Sequence, residues 1–229
     1  MKVLVFGGTG SAGSGVLKVC IASPRVSEVR AIVRRSLDLN DTKLHTVIHQ
    51  DFLDYSRCAE VFEGLDACFY CLGISVTKVS GEPEYRRITH DFAAAAARML
   101  SQRSPGATFH YISGAGAGPD SRFMWARVKA ETERDLIDSV GALCWRPGAI
   151  DGPPTSGTPW TYRMVRPFFP LMKPIRSLYV TGEDIGRAMI QATVEKQRAR
   201  VIENAEIRDM ADRSRREESA SSASRAKSS

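Results

Sequence analysis

With 229 residues, 43 % of them hydrophobic and 25 % charged, the chain has the apolar material for one substantial core. Its net charge of +6 is mild and no nucleic-acid recognition motif accompanies it, so nucleic acid is set aside in favour of anionic small molecules or acidic lipid surfaces. Five cysteines, an N-terminal apolar run too short for a signal peptide, and no stretch near the ~20 apolar residues of a membrane span predict a soluble intracellular protein with free thiols.

KVLVF (2–6) reads as a strand that passes through glycines into the helical GVLKVCIAS. EVRAIVR (28–34) and LHTVIH (44–49) read as further strands, YSRCAEVFEG (55–64) as a helix and DACFYCLG (66–73) as a fourth strand. A long helix is expected over 82–102, a fifth strand over ATFHYISG (107–114), a helix over RFMWARVKAETERDLIDS, and a sixth strand over ALCWRPGAI (142–150). Strand–helix alternation with short connections predicts a parallel sheet covered by helices on both faces. Within the long helix, FAAAAARM (92–99) allows close packing, against the sheet or, as a second reading, in a homodimer interface.

The pattern breaks from Asp151 to Thr181, where Pro and Gly are dense and Arg163, Arg166, Lys173 and Arg176 occur without an acidic neighbour. The aromatic, basic stretch 160–176 suits an anionic or extended apolar substrate, or a membrane surface. EDIGRAMIQATVEK (183–196) resumes a helix, RVIENAEI (200–207) offers a last strand, and 208–229 is expected to be a disordered tail. The domain expected is therefore 1–207, including a lid segment over 151–182.

Gly7, Gly10 and Gly13 form a G-x-x-G-x-x-G array between the first strand and the first helix. Such glycines permit a tight turn and close backbone approach to a pyrophosphate, while the helix N-terminus offers unpaired N–H groups. The end of the second strand selects the dinucleotide. A free ribose 2′-hydroxyl calls for Asp or Glu there; this chain has Arg34 and Arg35, which suit a 2′-phosphate and predict NADP over NAD. Asp51 and Phe52, just past the third strand, are expected near the adenine edge.

The VFGGTGSAG loop, Asp51, ISGAGAGPDSRF followed by Lys129, WRPG and the DIGRAM helix together resemble the short-chain dehydrogenase/reductase superfamily. Within it, the chain is similar to the atypical branch of Tat-interactive-protein-like oxidoreductases, over roughly residues 1–207. The resemblance implies a doubly wound, mostly parallel Rossmann sheet with a small C-terminal substrate lid. It implies a dinucleotide held by Gly7, Thr9, Gly10, Ser11, Ala12, Gly13, Arg34, Arg35, Asp51, Phe52, Leu72, Gly73, Lys129, Pro147, Gly148 and Ile150. It also implies a serine and a Tyr-x-x-x-Lys pair that transfer a proton, and here the chain departs from its relatives. Ser113 and Lys129 match by spacing, but Trp125 stands at the tyrosine position, and none of the six tyrosines is followed four residues later by lysine. Indole offers no exchangeable acid near neutrality.

Two functions are therefore carried forward: an NADP-dependent oxidoreductase with a nonstandard proton donor, or a catalytically weak dinucleotide-sensing regulatory or scaffold protein. The substrate stays open. The location expected is the cytoplasm, or alternatively the periphery of an intracellular membrane such as the mitochondrial outer membrane. Cys68 and Cys71 lie three apart in a strand and face opposite sides, and His45 and His49 have no partner at zinc-site spacing, so no metal is assigned.

Overall fold

Val3, Val5, Leu4 and Phe6 of the first strand, β1 (Lys2–Phe6), are all fully buried, two on each face of the sheet. This is the signature of a strand covered on both sides. In the computed structural model, which describes residues 1–152 and 174–227 and side chains as far as 220, β1 is an interior strand of a seven-stranded sheet, third in order. The other strands are β2 (Glu28–Val33), β3 (Leu44–Ile48), β4 (Ala67–Tyr70), β5 (Thr108–Ile112), β6 (Leu143–Arg146) and, late in the chain, Arg200–Glu203. The order is β3-β2-β1-β4-β5-β6 and then Arg200–Glu203, and every pairing is parallel. Strand order reverses between β1 and β4, which opens a crevice at their carboxyl ends, where doubly wound sheets bind ligands.

Period-two alternation sends Val3 and Val5 to one core with Phe69 and Trp145, and Leu4 and Phe6 to another with Tyr70, Phe109 and Tyr111. The first core lies under α1 (Gly13–Ala22) and the second under the alanine-rich helix of the long helical stretch. That stretch is not continuous: α2 (Glu82–Arg86) passes through a π-helical turn (Arg87–Asp91) into α3 (Phe92–Arg103). Ala93, Ala96 and Ala97 of α3 pack against the sheet, as the alanine run predicts. The 55–64 helix is a 3₁₀ segment, Ser56–Phe62, broken at Cys58.

Two corrections come from the C-terminal third. The sixth strand does not run to 150, because Pro147 has no N–H to donate and Gly148 lies so close to the neighbouring chain that a Cβ would sit 2.5 Å from the Leu178 carbonyl oxygen. The chain turns there into β7 (Ala149–Asp151), which pairs with β8 (Tyr179–Thr181) in a separate two-stranded sheet. After α5 (Gly182–Val194), with its capping box between Thr181 and Asp184, the last strand, β9 (Arg200–Glu203), is shorter than expected. Residues from 204 are not a strand followed by a disordered tail: Asn204–Lys227 forms a helix, α6. Ile207, Met210, Ala211 and Ser214 are completely buried at helical spacing, and α6 lies against α5. Its charges find partners, Arg215 with Asp184 and Asp212, and Glu217 with Arg25. Residues 153–173, which hold most of the expected lid and of the basic aromatic stretch, lie outside the described residues. Among the described residues, no helix is long and apolar enough to cross a membrane and no group of His, Cys, Asp and Glu could hold a metal ion.

Candidate functional site

The glycine loop closes on itself through Gly10 N–H donating to the Gly7 carbonyl at 2.8 Å and Ser14 N–H to the Gly10 carbonyl at 2.9 Å. Gly7 has φ +71°, and a Cβ there would meet the Cys71 carbonyl oxygen at 2.6 Å. A Cβ on Gly13 would lie 2.1 Å from the Gly7 carbonyl oxygen, so no side chain fits at either position. From behind, the carbonyl oxygens of Ser11 and Ala12 are approached by Gly152 and Gly182, whose Cβ positions would be 2.1 Å and 2.7 Å away. The loop is thus wedged between β4 and α5, with Thr9 exposed at its tip.

α1 opens at Gly13 behind Ala12, which has no side chain to cap it, and no acidic residue occupies its first turn. Ser14 N–H is held by the Gly10 carbonyl, but the N–H groups of Gly13 and Gly15 have no backbone partner among the described residues and can meet an anion. Ser14 Oγ is buried beside them with no hydrogen-bond partner among the described residues. Across the crevice, Leu72 and Gly73 continue from β4; Leu72 is half-buried and nothing lies within 4 Å of where a Gly73 Cβ would be. A backbone cradle that any Cβ would fill, an uncapped helix start and an unpartnered buried hydroxyl together fit a pyrophosphate.

Arg34 and Arg35 emerge exposed at the end of β2, and among the described residues no carboxylate pairs with either. Gln50 donates to the Arg34 carbonyl and steadies the backbone there. Asp51 is exposed, its carboxylate accepting from Leu53 N–H at 3.0 Å and its carbonyl from His49 Nε2 at 2.6 Å. Phe52 is a correction. Its ring is buried, stacked on Phe92 at 5.6 Å and near Phe6 and Tyr55, so it supports the core and presents no face to a ligand. Cys68 is fully buried and Cys71 half-buried, and burial pushes both thiols well above the ordinary range.

At the other end of the crevice, Ser113 follows β5 and its N–H donates to the Trp145 carbonyl at 2.7 Å. Its Oγ is buried and has no partner among the described residues. Lys129, on α4 (Met124–Val140), donates from Nζ to the Ser113 carbonyl at 2.6 Å and to the Ile112 carbonyl at 3.2 Å. Burial lowers its pKa to about 8, against a smaller opposing effect of Glu133. Trp125, one turn earlier, lies against the glycines that follow Ser113. A Cβ on Gly114 would be 3.9 Å from both Trp125 Cζ3 and Lys129 Cδ, and one on Gly116 would be 3.8 Å from Trp125 Cη2. Ser113, Trp125 and Lys129 therefore come together as their spacing predicts. Phe123, half exposed, stacks on the indole with centroids 6.5 Å apart, and Arg122 lies over Phe123.

Pro147 ties this loop to the next, its carbonyl accepting from Ala115 N–H at 2.9 Å. Gly148 N–H donates to Asn204 Oδ1 at 2.7 Å, while Asn204 Nδ2 donates to the carbonyls of Arg176 at 2.6 Å and Tyr179 at 3.0 Å. Ile150, in β7, is half-buried beside them. Asn204, buried and fully engaged, went unnoticed in the sequence, where the one signal was an asparagine at the start of a helix misread as strand. Phe123 was also overlooked.

No family model matches the chain. Protein FMP52, mitochondrial, of Saccharomyces cerevisiae is 31 % identical over 159 residues, which cover 68 % of this chain and 68 % of that protein. The protein of the same name from Eremothecium gossypii is 24 % identical over 217 residues, 90 % of this chain and 96 % of its own. Protein HTATIP2 of Rattus norvegicus is 29 % identical over 156 residues, covering 65 % of this chain and 62 % of that one. Among solved structures, the Bordetella bronchiseptica enzyme WbmF in complex with NAD+ superposes with a TM-score of 0.67 at 13 % identity, over 93 % of this chain and 77 % of that one. MoeE5 in complex with UDP-glucuronic acid and NAD superposes with a TM-score of 0.66 at 17 % identity, over 88 % and 75 %. At such identities the superpositions speak to the fold.

Proposed function

This chain belongs with the FMP52 and HTATIP2 proteins to the atypical short-chain dehydrogenases/reductases, and from that premise we propose that it is an NADP-binding oxidoreductase working without the family's tyrosine. The observation that carries the cofactor choice is the pair of exposed guanidiniums at the end of β2, with no carboxylate partner among the described residues, where a carboxylate would repel a 2′-phosphate. In this reading Ser11, Ala12 and Gly13 present N–H groups to the pyrophosphate, while Gly10, bonded to the Gly7 carbonyl, keeps the loop shut behind it with Gly7 and Gly13. Arg34 and Arg35 meet the 2′-phosphate, Asp51 borders the adenine, and Leu72 and Gly73 line the crevice floor. Lys129 borders the nicotinamide ribose with its stem, and Pro147, Gly148 and Ile150 wall the nicotinamide. When bound, the nicotinamide supplies or accepts a hydride. Ser113 Oγ, with no partner among the described residues, holds the substrate oxygen, and Phe123 with Trp125 offers an aromatic wall beside it.

The regulatory reading has its own observation, the indole that cannot give up a proton at the tyrosine position. The unpartnered Ser113 hydroxyl and the buried lysine favour the enzyme, because a protein that only senses the cofactor has no use for an oxygen-binding hydroxyl. A homodimer through the outer faces of α3 and α4, and a membrane-surface contact through 160–176, belong to the same proposal. The mitochondrial name of the FMP52 relatives supports peripheral attachment to a mitochondrial membrane over a cytoplasmic location. Calorimetric titration with NADPH and NADH tests the core of the reading: NADPH is expected to bind at least ~10-fold more tightly, as one charge-assisted contact implies, and equal affinities would overturn the choice.

A further inference from the structure

Reduction of a carbonyl at Ser113 needs a proton as well as a hydride, and the described groups near Ser113 leave few sources for it. Trp125 has none to give. The Tyr111 hydroxyl is buried, and burial pushes its pKa well above the tyrosine range; the Cys144 thiol is likewise pushed up. The Tyr179 hydroxyl already donates to Asp151 Oδ2 at 2.8 Å. One acid remains. Resting on the oxidoreductase reading above, we propose that Lys129 is the proton donor of this site, its Nζ passing a proton directly to the substrate oxygen held by the Ser113 hydroxyl.

The placement follows from contacts already described. Nζ is seated on the carbonyl oxygens of Ile112 and Ser113, so two of its three N–H bonds are committed to the residue that carries the unpartnered Oγ and to its neighbour. The third is left for a ligand. The next residue is Gly114, so no side chain stands between the lysine stem and the indole. Burial that lowers the ammonium to about 8 puts it where proton donation and recovery are both rapid at working pH. The groups facing Nζ do not undo this. The Tyr111 ring lies 5.6 Å away as a neutral π face, and the Cys144 thiol stays protonated. Glu133, the nearest carboxylate one turn on, is engaged by Arg146 through Nε at 2.9 Å and Nη2 at 2.6 Å, so its charge is largely compensated.

The step balances as follows. The Lys129 N–H bond breaks and its electron pair stays on Nζ as a neutral amine. The carbonyl carbon takes a hydride from reduced nicotinamide, the C=O π pair moves to oxygen, and that oxygen takes the proton. Carbonyl becomes alcohol, NADPH becomes NADP+, and the amine recovers a proton from water.

The test uses the full chain labelled with ¹³C at lysine Cε, with and without NADP+, together with NADPH oxidation by phenanthrenequinone and nitrobenzaldehyde. One lysine resonance should titrate near 8 and vanish in Lys129→Arg. Turnover should be level below that pH and fall about tenfold per unit above it. Lys129→Arg keeps the cation but cannot release a proton, so kcat should drop by ~10²-fold, far more than any change in NADPH affinity measured by calorimetry on the same variant. Added methylamine should restore part of the rate to Lys129→Ala but not to Lys129→Arg. A resonance in the ordinary lysine range, an Arg variant with unchanged kcat, or no carbonyl-dependent oxidation despite intact NADPH binding would each overturn the donor and leave the cofactor reading standing. Failure to bind NADPH at all would remove that reading too.

Discussion

The two ends of the crevice are built differently. At the glycine loop, backbone meets backbone: side chains at Gly7 and Gly13 would overlap carbonyl oxygens at 2.6 Å and 2.1 Å. At Ser113 the equivalent approach, at Gly114, is an ordinary contact of 3.9 Å made by side chains of α4. The first end tolerates no change of residue without losing its shape. The second leaves room for individual side chains to change within its frame, Trp125 among them. In the function proposed above, cofactor binding and proton chemistry can therefore diverge in one domain, because one is written in the main chain and the other in exchangeable groups.

The most direct way to break this contrast is to add the same methyl group at both ends. Gly13→Ala should cost about 2–4 kcal/mol in urea unfolding, in the range of severe steric substitutions, and abolish NADPH binding. Gly114→Ala should cost less than about 1 kcal/mol and bind NADPH normally. Equal losses at the two sites would show that the second end is no more tolerant than the first. Next in size is the Arg34→Ala/Arg35→Ala double variant. Loss of charge-assisted contacts should weaken NADPH by ~10- to 100-fold in calorimetry and leave NADH unchanged; an equal loss for both cofactors would mean that the arginines shape the loop and do not read the phosphate.

Trp125→Tyr sharpens the contrast from the tolerant side. A phenol beside Lys129 gains an acidic proton whose pKa the ammonium depresses, so NADPH oxidation in the presence of a quinone should rise, by about tenfold. The melting temperature should fall by only a few degrees, because the smaller ring leaves space beside the glycines. A slower variant would show that the indole itself serves turnover. The smallest effect concerns α6. Ending the chain at Ala220 should leave thermal stability unchanged, whereas ending it at Arg213 should lower it by about 1–2 kcal/mol, since the buried Ser214 and the Arg215–Asp184 and Glu217–Arg25 pairs go with it. Equal stability of the two truncations would mean that this last stretch of helix docks without contributing.

The same contrast decides what was legible in the sequence. Strands β1, β4 and β5 announce themselves because their residues alternate between two buried faces, and the glycine array because its spacing reports backbone clashes directly. Ser113, Trp125 and Lys129 were found through strand-end position and i, i+4 spacing, both local properties. The misreadings are non-local. Phe52 looks like any aromatic at a strand end until Phe92, forty residues on, stacks against it. Residues 208–217 look too polar to pack because the partners of Arg215 and Glu217, Asp184 on α5 and Arg25 beyond α1, are distant in the chain. The break at Pro147 was in plain view, yet a strand reading of 142–150 passed over a residue that cannot donate to the ladder.

Asn204 has one further consequence. Its single amide grips Gly148 on one side of residues 153–173 and Arg176 and Tyr179 on the other, and the pairing of β7 with β8 clasps the same two points. The span between them is thus an insert held by its own buckle. Doubling its length would add only about 0.6 kcal/mol of closure entropy. Descendants of this chain could exchange that span for a longer, shorter or differently charged one while the buckle and the sheet stayed as they are, and the fold need not be rebuilt.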